Sequence, residues 1–451
     1  MTFWTLDRVA DALSETSMAL PRGGTALAGV STDTRSIAPG QLFVALKGER
    51  FDGHDHLSEA VAKGAAGVVV SRPTALEALN VPVLEVPDTL VALGSLAGYW
   101  RQAWRGTIVA VAGSNGKTTT KDLIRAALSR ELDVHATTGN LNNRIGVPLT
   151  LLSIPATVRL AVVELGTNLP GEVAILREIA RPDIAVVTSV DEEHLEGLGD
   201  LAGVLREESA CYDGVAIGIA PASQPEVAAA ARGRAGEVIT AGLDSGDVRP
   251  SSWSIAPDGH GTIELDGVKV SPPLRGLHNL RNAMLAIAVA RSCGVSDESA
   301  AEGIAAMEAP RMRVAWERIG DATLINDAYN ANPGSTRAAI ELLRGLGKDR
   351  QRVLVLGTMR ELGDASVRCH LDMSRLALES GADVIAGIGD FAGSLESVAA
   401  GDGRVVTADS VEELWPRLRP RMARDAVILL KASRGVQLER LVPHLTTWAT
   451  G

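Results

Sequence analysis

The stretch from Ile108 to Thr120, IVAVAGSNGKTTT, constrains this chain more than any other. An apolar run, Ile108 to Ala112, leads straight into Gly-Ser-Asn-Gly and then into Lys-Thr-Thr-Thr. Such a run reads as a strand buried on both faces, which needs a parallel sheet with helices packed against it. Gly113 and Gly116 let the backbone curl so that its N–H groups face phosphate oxygens. The helix opening near Lys117 and running through Thr119 adds its positive dipole end. Lys117 has the reach for the β- and γ-phosphates of a nucleotide, and the Thr118 hydroxyl suits Mg²⁺. The strict phosphate-loop pattern wants glycine at 111, where Val111 stands, so this loop is a shorter variant. The bland alternative is a glycine turn carrying a surface lysine.

With 451 residues the chain has room for about three domains. The net charge of -11, without a basic block, argues against nucleic-acid binding, which needs clustered Lys and Arg. Cys211, Cys293 and Cys369 are far apart and odd in number, so they read as small buried hydrophobes in a reducing compartment. The N-terminal residues show no basic segment followed by an apolar one, and no stretch reaches the ~18 apolar residues of a membrane span. A cytoplasmic monomer is the expectation.

Along the chain, Gln41 to Leu46 and Gly67 to Val70 read as strands around a short helix, His56 to Lys63. A boundary is expected between Trp100 and Gly106. Leu160 to Glu164 and Ile184 to Ser189 read as further buried parallel strands. Ile263 to Leu265 and Val268 to Val270 flank Asp266-Gly267, a hairpin signal. Strands at 323–326, 353–356, 384–386 and 427–430 form a second doubly wound unit. The expected fold is α/β with three domains. These are a small mixed α/β domain (1–103), a central P-loop ATPase-like parallel-sheet domain (104–310) and a C-terminal Rossmann-like domain (311–451).

Other candidates are weaker when taken singly. Glu164 ends a strand, where an acid points into the ligand crevice of an open parallel sheet or is simply solvated. His194 follows the strand that starts at Ile184 and reads as a metal or phosphate neighbour or as a surface histidine. The acids around it, Asp191, Glu192, Glu193 and Glu196, read as a solvated loop. Asn279 and Asn282 lie one turn apart at a helix start, placed to read an adenine edge or to cap the helix.

Taken together, these stretches resemble the Mur ligase family over nearly the whole chain. STDTRSIAPGQLFVALKGERFDGHDHL resembles its uridine-nucleotide domain, AGSNGKTTT its ATP loop, and TTGNLNNRIGVPLTLL, VVELGTNLPGEVAIL and GLHNLRNA follow in order. INDAYNANPGST, VLGTMRELGDAS and LLKASRGVQLERLV fit the branch that adds D-alanyl-D-alanine to UDP-N-acetylmuramoyl-tripeptide. The resemblance implies ATP and Mg²⁺ as cofactors, and an acyl phosphate on the path to the amide. Its catalytic residues fall on Lys117, Glu164, His194, Glu208 and Arg311, and its metal ligands on Thr118, Glu164, His194 and Glu208. ATP contacts fall on residues Gly113 to Thr119 and on Asn279, Asn282, Arg311, Asp327 and Tyr329. Substrate contacts fall on Ser31, Thr32, Asp33 and Arg35, on Asn140, Asn142 and Asn143, and on Asn330, Asn332, Lys431, Ser433 and Arg434. The third residue of the tripeptide is left open among diaminopimelate, lysine and ornithine.

Three departures stand out against the family pattern. Pro310 replaces a glycine before the arginine, and Thr358 replaces an aspartate. Glu208 stands where the family carries a carbamylated lysine, with Glu207 beside it as an alternative and a solvated helix acid as the bland reading. Two competing functions remain at this stage. A folate polyglutamate ligase shares the loop but not the uridine-type segment or YNANP. A nucleotide sensor without turnover is the other.

Overall fold

The computed structural model describes residues 3–14, 21–72, 79–308, 314–347, 349–399 and 401–451. Arg311 and Pro310 lie outside the described residues. The chain is an α/β protein made of two compact units. The first comprises Met1–Ile108, His135–Leu165 and Ala174–Pro182; the second comprises Val109–Val134, Gly166–Val173 and Asp183–Gly451.

The first unit contains a parallel sheet in the order Gly29–Ser31, Gln41–Val44, Gly67–Val70, Val83–Glu85. A separate antiparallel pair joins Trp4–Thr5 to Ala26–Leu27. Phe43, Val68 and Val70 pack with Leu57 and Ala60 of the helix Leu57–Ala62, the short helix expected there. The helix Thr89–Trp104 starts at Asp88, whose carboxylate accepts from Leu90 and Val91, and ends at Arg105 in a left-handed conformation. Trp104 donates through Nε1 to the Val158 carbonyl (2.8 Å), and Arg101 donates to the Ala180 carbonyl (2.9 Å). The expected boundary at residue 103 thus falls inside this helix.

In the second unit, Glu237–Ala241, Ile217–Pro221 and Ile184–Val187 run parallel to the end of Thr107–Ala112, with Val187 beside Ala112. The hairpin at Asp266-Gly267 forms as expected, with both turn residues at positive φ (47° and 94°). A six-stranded sheet follows in the order Ala315–Ile319, Ala322–Asp327, Val427–Lys431, Arg352–Gly357, Val384–Ile388, Val405–Ala408. Its first pair is antiparallel and the rest are parallel. The two edge strands were not among those expected. The crossover from Ala322–Asp327 to Arg352–Gly357 leaves Val427–Lys431 between them, so Asp327 and Lys431 end side by side at the carboxyl edge. Ligands of open α/β sheets gather at such an edge.

Cys211 and Cys369 are buried, whereas Cys293 is only partly so. Among the described residues no helix is long and apolar enough to cross a membrane.

The helix Lys117–Leu128 carries the phosphate loop and packs against Asp297–Ala305 through a glycine. A Cβ on Gly303 would lie 2.0 Å from the Ala126 carbonyl oxygen. Gly303→Ala should therefore lower stability by about 1–3 kcal/mol despite its better helix propensity. Gly393, also in a helix, has nothing within 4 Å of its would-be Cβ. Gly393→Ala should be neutral or stabilising by up to about 1 kcal/mol. Urea unfolding of the two variants checks the contrast, and equal midpoints would contradict it.

Candidate active site

The phosphate loop depends on two positions without a side chain. Gly113 has φ 119°, and a Cβ there would stand 2.4 Å from Thr188 Oγ1 and 2.7 Å from the Thr188 nitrogen. Gly116 caps the helix at φ 81°, with its would-be Cβ 2.9 Å from the Asn282 amide. The neighbouring strand end then fixes the loop. Ser114 N–H donates to the Ser189 carbonyl (2.8 Å), and Asn115 N–H donates to Ser189 Oγ (3.1 Å). Asn115 Nδ2 donates to Asp191 (2.8 Å), while the Asp191 N–H donates to Ser114 Oγ (2.9 Å). Asp191 is thus a loop-fixing residue and not a solvated acid.

Lys117 curls over this loop. Its ammonium donates to the Gly113 carbonyl and lies 3.6 Å from Glu193. Glu193 is only 3% exposed, which overturns its reading as part of a solvated loop. Glu208 is 0% exposed, which rules out the solvated-helix reading. It accepts from the Gly113 N–H at 2.7 Å. Glu207, the alternative, is used elsewhere. Its carboxylate accepts from Thr167 Oγ1 (3.1 Å), Gly171 N–H (2.7 Å) and Val173 N–H (2.8 Å), which fixes the loop after Gly166.

Burial pushes the Glu208 carboxyl up to about 7; Lys117 opposes the shift, Glu193 adds to it, and the Gly113 N–H opposes it. Burial also raises the Glu193 carboxyl, against the pull of Lys117 and His194.

Glu164, in the first unit, is 1% exposed at the end of Leu160–Glu164. Asn142 Nδ2 donates to one of its oxygens (2.8 Å). Asn143 accepts from the Ile145 and Gly146 N–H groups (3.1 and 2.9 Å) and so holds the start of Gly146–Leu152. Asn140 is exposed. In the same unit, Asp33 accepts from Arg35 through its backbone and its guanidinium (Nη2 at 2.6 Å), which holds its carboxyl down to about 2. Ser31 Oγ accepts from the Asp33 N–H (3.3 Å), and Thr32 is partly buried between them.

The six-stranded lobe meets the phosphate loop within the second unit. Asn332, a substrate-contact candidate, caps the helix Pro333–Gly345. Its Nδ2 donates to Asn115 (2.9 Å) and to Glu193 (3.3 Å). Arg368 pairs with Glu192 (2.6 Å). His194 Nδ1 bonds to Glu361. Burial lowers the His194 imidazole, but Glu361 and Glu193 outweigh it, and the net shift is upward. Glu361 was missed in the sequence; its motif, VLGTMRELGDAS, was the available signal.

Asn279 and Asn282 are buried but do not cap the helix. Asn279 Nδ2 donates to the Arg275 carbonyl (2.8 Å), and Asn282 leans on Gly116. Lys431 pairs with Asp327 at 2.7 Å, and burial pushes nearby His278 down to about 4, with Asp327 opposing the shift. Tyr329 is partly buried and Asn330 exposed. Ser433 Oγ accepts from the Arg360 N–H (2.9 Å), and Arg434 pairs with Glu439 (2.7 Å). Thr358 stands where the family has an acid, and its hydroxyl accepts from the Asp390 N–H (2.9 Å) at a helix start.

The oxygens expected to hold a metal pass one test. Thr118 Oγ1, Glu164 Oε2 and Glu208 Oε1 are buried without hydrogen-bond partners. Such orphans are costly unless something binds them. Among the described residues no group of three or more His, Cys, Asp or Glu forms a metal cage. Mg²⁺ needs none, since it is usually held by one or two protein oxygens with phosphates and waters.

Three family models match the chain. The Mur ligase family catalytic domain matches residues 26–101, the Mur ligase middle domain 111–290, and the Mur ligase glutamate ligase domain 310–434. The UDP-N-acetylmuramoyl-tripeptide–D-alanyl-D-alanine ligase of Bacillus subtilis is 35% identical, over 93% of this chain and 93% of that protein. A crystal structure of MurF from Acinetobacter baumannii superposes with a TM-score of 0.89 at 31% identity, covering 98% of this chain and 99% of that one. MurF ligase from Thermotoga maritima in complex with ADP superposes at 0.82 with 25% identity, covering 94% and 98%.

Glu208 generates a pH prediction. Its folded value of about 7 lies above the ordinary 4.5, so the folded protein keeps this proton longer than the unfolded chain does. Stability is then lost as pH rises from about 4.5 to about 7 and stays lower above that window. Glu208→Gln removes this loss. The variant should be more stable than the parent at about pH 8, by on the order of 1–3 kcal/mol, and equally stable near about pH 4. Urea unfolding across pH checks this, and a stability difference independent of pH would contradict it.

Proposed function

The chain belongs to the Mur ligase family, and from that premise we propose that it joins D-alanyl-D-alanine to UDP-N-acetylmuramoyl-tripeptide at the expense of ATP. The single observation that carries the chemistry is the glycine-dependent loop, with Lys117 folded over it and the Thr118 hydroxyl left without a partner. The tripeptide carboxylate attacks the γ-phosphate of ATP, ADP leaves, and an acyl phosphate forms. The amine of D-alanyl-D-alanine attacks that carbonyl, inorganic phosphate leaves, and the amine proton passes to solvent or to the departing phosphate.

A reaction of this kind asks little covalent chemistry of the protein. It asks for neutralised phosphate charge and aligned reactants. Lys117 exchanges its Gly113 carbonyl and Glu193 for phosphate oxygens. Thr118, Glu164, His194 and Glu208 are the residues assigned to magnesium. Bound there, the ion supplies charge for the β- and γ-phosphates. Asn279, Asn282, Asp327, Tyr329 and Arg311 are assigned to the nucleotide. Ser31, Thr32, Asp33 and Arg35 are assigned to the uridine moiety, and Asn140, Asn142 and Asn143 to the same substrate. Asn330, Asn332, Lys431, Ser433 and Arg434 are assigned to the closing lobe and the dipeptide. In this reading the division of labour follows residues 1–103, 104–310 and 311–451, and the protein acts as a cytoplasmic monomer.

Phosphate release measured with and without D-alanyl-D-alanine tests the reaction. Release should depend on both the dipeptide and a UDP-tripeptide; ATP turnover indifferent to the dipeptide would overturn the assignment. Lys117→Ala should leave thermal unfolding close to the parent and lower turnover to below about a hundredth. Retention of more than about a tenth would contradict the phosphate role. Glu208 carries its carboxyl group without any reaction with CO₂, so bicarbonate depletion should leave activity unchanged. A loss reversed by adding bicarbonate would show that a carbamate forms elsewhere.

A further inference from the structure

The loop after the strand Ile184–Val187 receives the six-stranded lobe at several points. Among the described residues only one of these contacts, Glu361 to His194, involves two non-glycine residues in the left-handed region. Their φ values are 65° and 51°. For glutamate that conformation is unfavourable, and it persists where the surroundings fix it.

The surroundings do fix it. Met359 N–H donates to Nε2 of buried His370 (2.9 Å), and Arg360 N–H donates to Ser433 Oγ (2.9 Å). The Glu361 carbonyl accepts from the Glu196 N–H (3.2 Å). Gly363, at φ 51°, sits so close that its would-be Cβ is 3.2 Å from Glu196 Cα. The backbone is therefore held from both lobes, and it delivers the Glu361 carboxylate to His194 Nδ1.

The consequence lies on the other side of the ring. With Nδ1 engaged, Nε2 points inward, 3.8 Å from Glu193, which is itself 3.6 Å from Lys117 Nζ. We propose that Glu361 is a positioning residue for the phosphate site, which fixes the ring orientation and tautomer of His194 from the opposite lobe. Docking of that lobe is thereby registered at the phosphate loop through one imidazole. A carboxylate behind a histidine commonly sets which nitrogen is presented. The inference rests on the reading that His194 serves the phosphate site.

Arg368 supplies the control. It pairs with Glu192 in the same loop and from the same lobe, but it does not touch His194. Glu361→Ala should lower kcat about tenfold or more and raise the magnesium concentration for half activity, with little change in KM for the UDP-tripeptide. Glu361→Gln keeps an oxygen for the Nδ1–H and should stay within about threefold of the parent. Arg368→Ala should affect kcat far less than Glu361→Ala. The His194→Ala/Glu361→Ala double variant should be no worse than His194→Ala alone. Isotope-labelled histidine spectra at alkaline pH, with the His194 signal assigned by its loss in His194→Ala, give a readout without turnover. That signal should show a protonated Nδ1 in the parent and in Glu361→Gln, and should revert to the free-imidazole pattern in Glu361→Ala. A silent His194→Ala overturns the underlying reading of the site. An impaired His194→Ala beside a silent Glu361→Ala, an unchanged His194 signal, or an equal loss in Arg368→Ala overturns this inference alone.

Discussion

The site is organised around a lysine ammonium set over two buried carboxylates. Lys117 faces Glu193 at 3.6 Å, and Glu208 accepts from the first N–H of the phosphate loop beneath it. Burial raises both carboxyls; the charge of Glu193 adds to the shift at Glu208, and that of Asp191 adds to the shift at Glu193. A cation near them lowers that cost, and removing it leaves uncompensated buried charge. The loop is therefore electrostatically incomplete on its own and is disposed to bind something positive among its oxygens. The orphaned Thr118 hydroxyl and the free oxygen of Glu208 mark the same demand in hydrogen-bonding terms.

The acids after Val190 serve a second purpose, as the docking register for the six-stranded lobe. Asp191 holds Asn115 and leaves no room for a side chain at residue 334, where a Cβ would stand 2.6 Å from its carboxyl carbon. Glu192 meets Arg368, Glu193 meets Asn332, and His194 meets Glu361. Successive residues of one loop thus face different partners, so the docked arrangement is specific in register. Outside that loop, Arg275, just before the helix Leu277–Ser292, lies over the Trp316 ring, 4.0 Å from its centroid, and adds a further contact to the lobe.

What could be read from the sequence was what local chemistry decides. The strand-turn-helix at Gly113 and the Asp266-Gly267 hairpin each carry their geometry in a few adjacent residues, and both formed as expected. The edge strands Ala315–Ile319 and Val405–Ala408 mix polar and apolar residues and are only partly buried, so no long apolar run marked them. The partners of Glu193 and Glu361 could not be read from the residues around them for another reason. Their partners lie 139 and 167 residues away, and burial of an acid by a distant lobe leaves no trace in its neighbours. Glu208 lay between these cases. Its position was noticed through the resemblance, while its burial came only from packing.

A pattern recurs at the cations assigned to ligands. Arg35 rests on Asp33, Lys117 on Glu193, Lys431 on Asp327 and Arg434 on Glu439. Each cation has a resident acid, so binding an anionic ligand is an exchange of partners and not a gain of one. The exchange lowers net affinity, since every new ion pair replaces an old one. In return it keeps cations such as Lys431, nearly buried, from standing unpaired, which would be far more costly. It also holds each head group near its working position before a ligand arrives, which reduces the ordering cost of binding. A triphosphate carries enough charge to displace single carboxylates where a neutral competitor does not. The resident acids thus support the cations, and at Lys117, on its assignment to the phosphates, exchange favours a highly charged ligand.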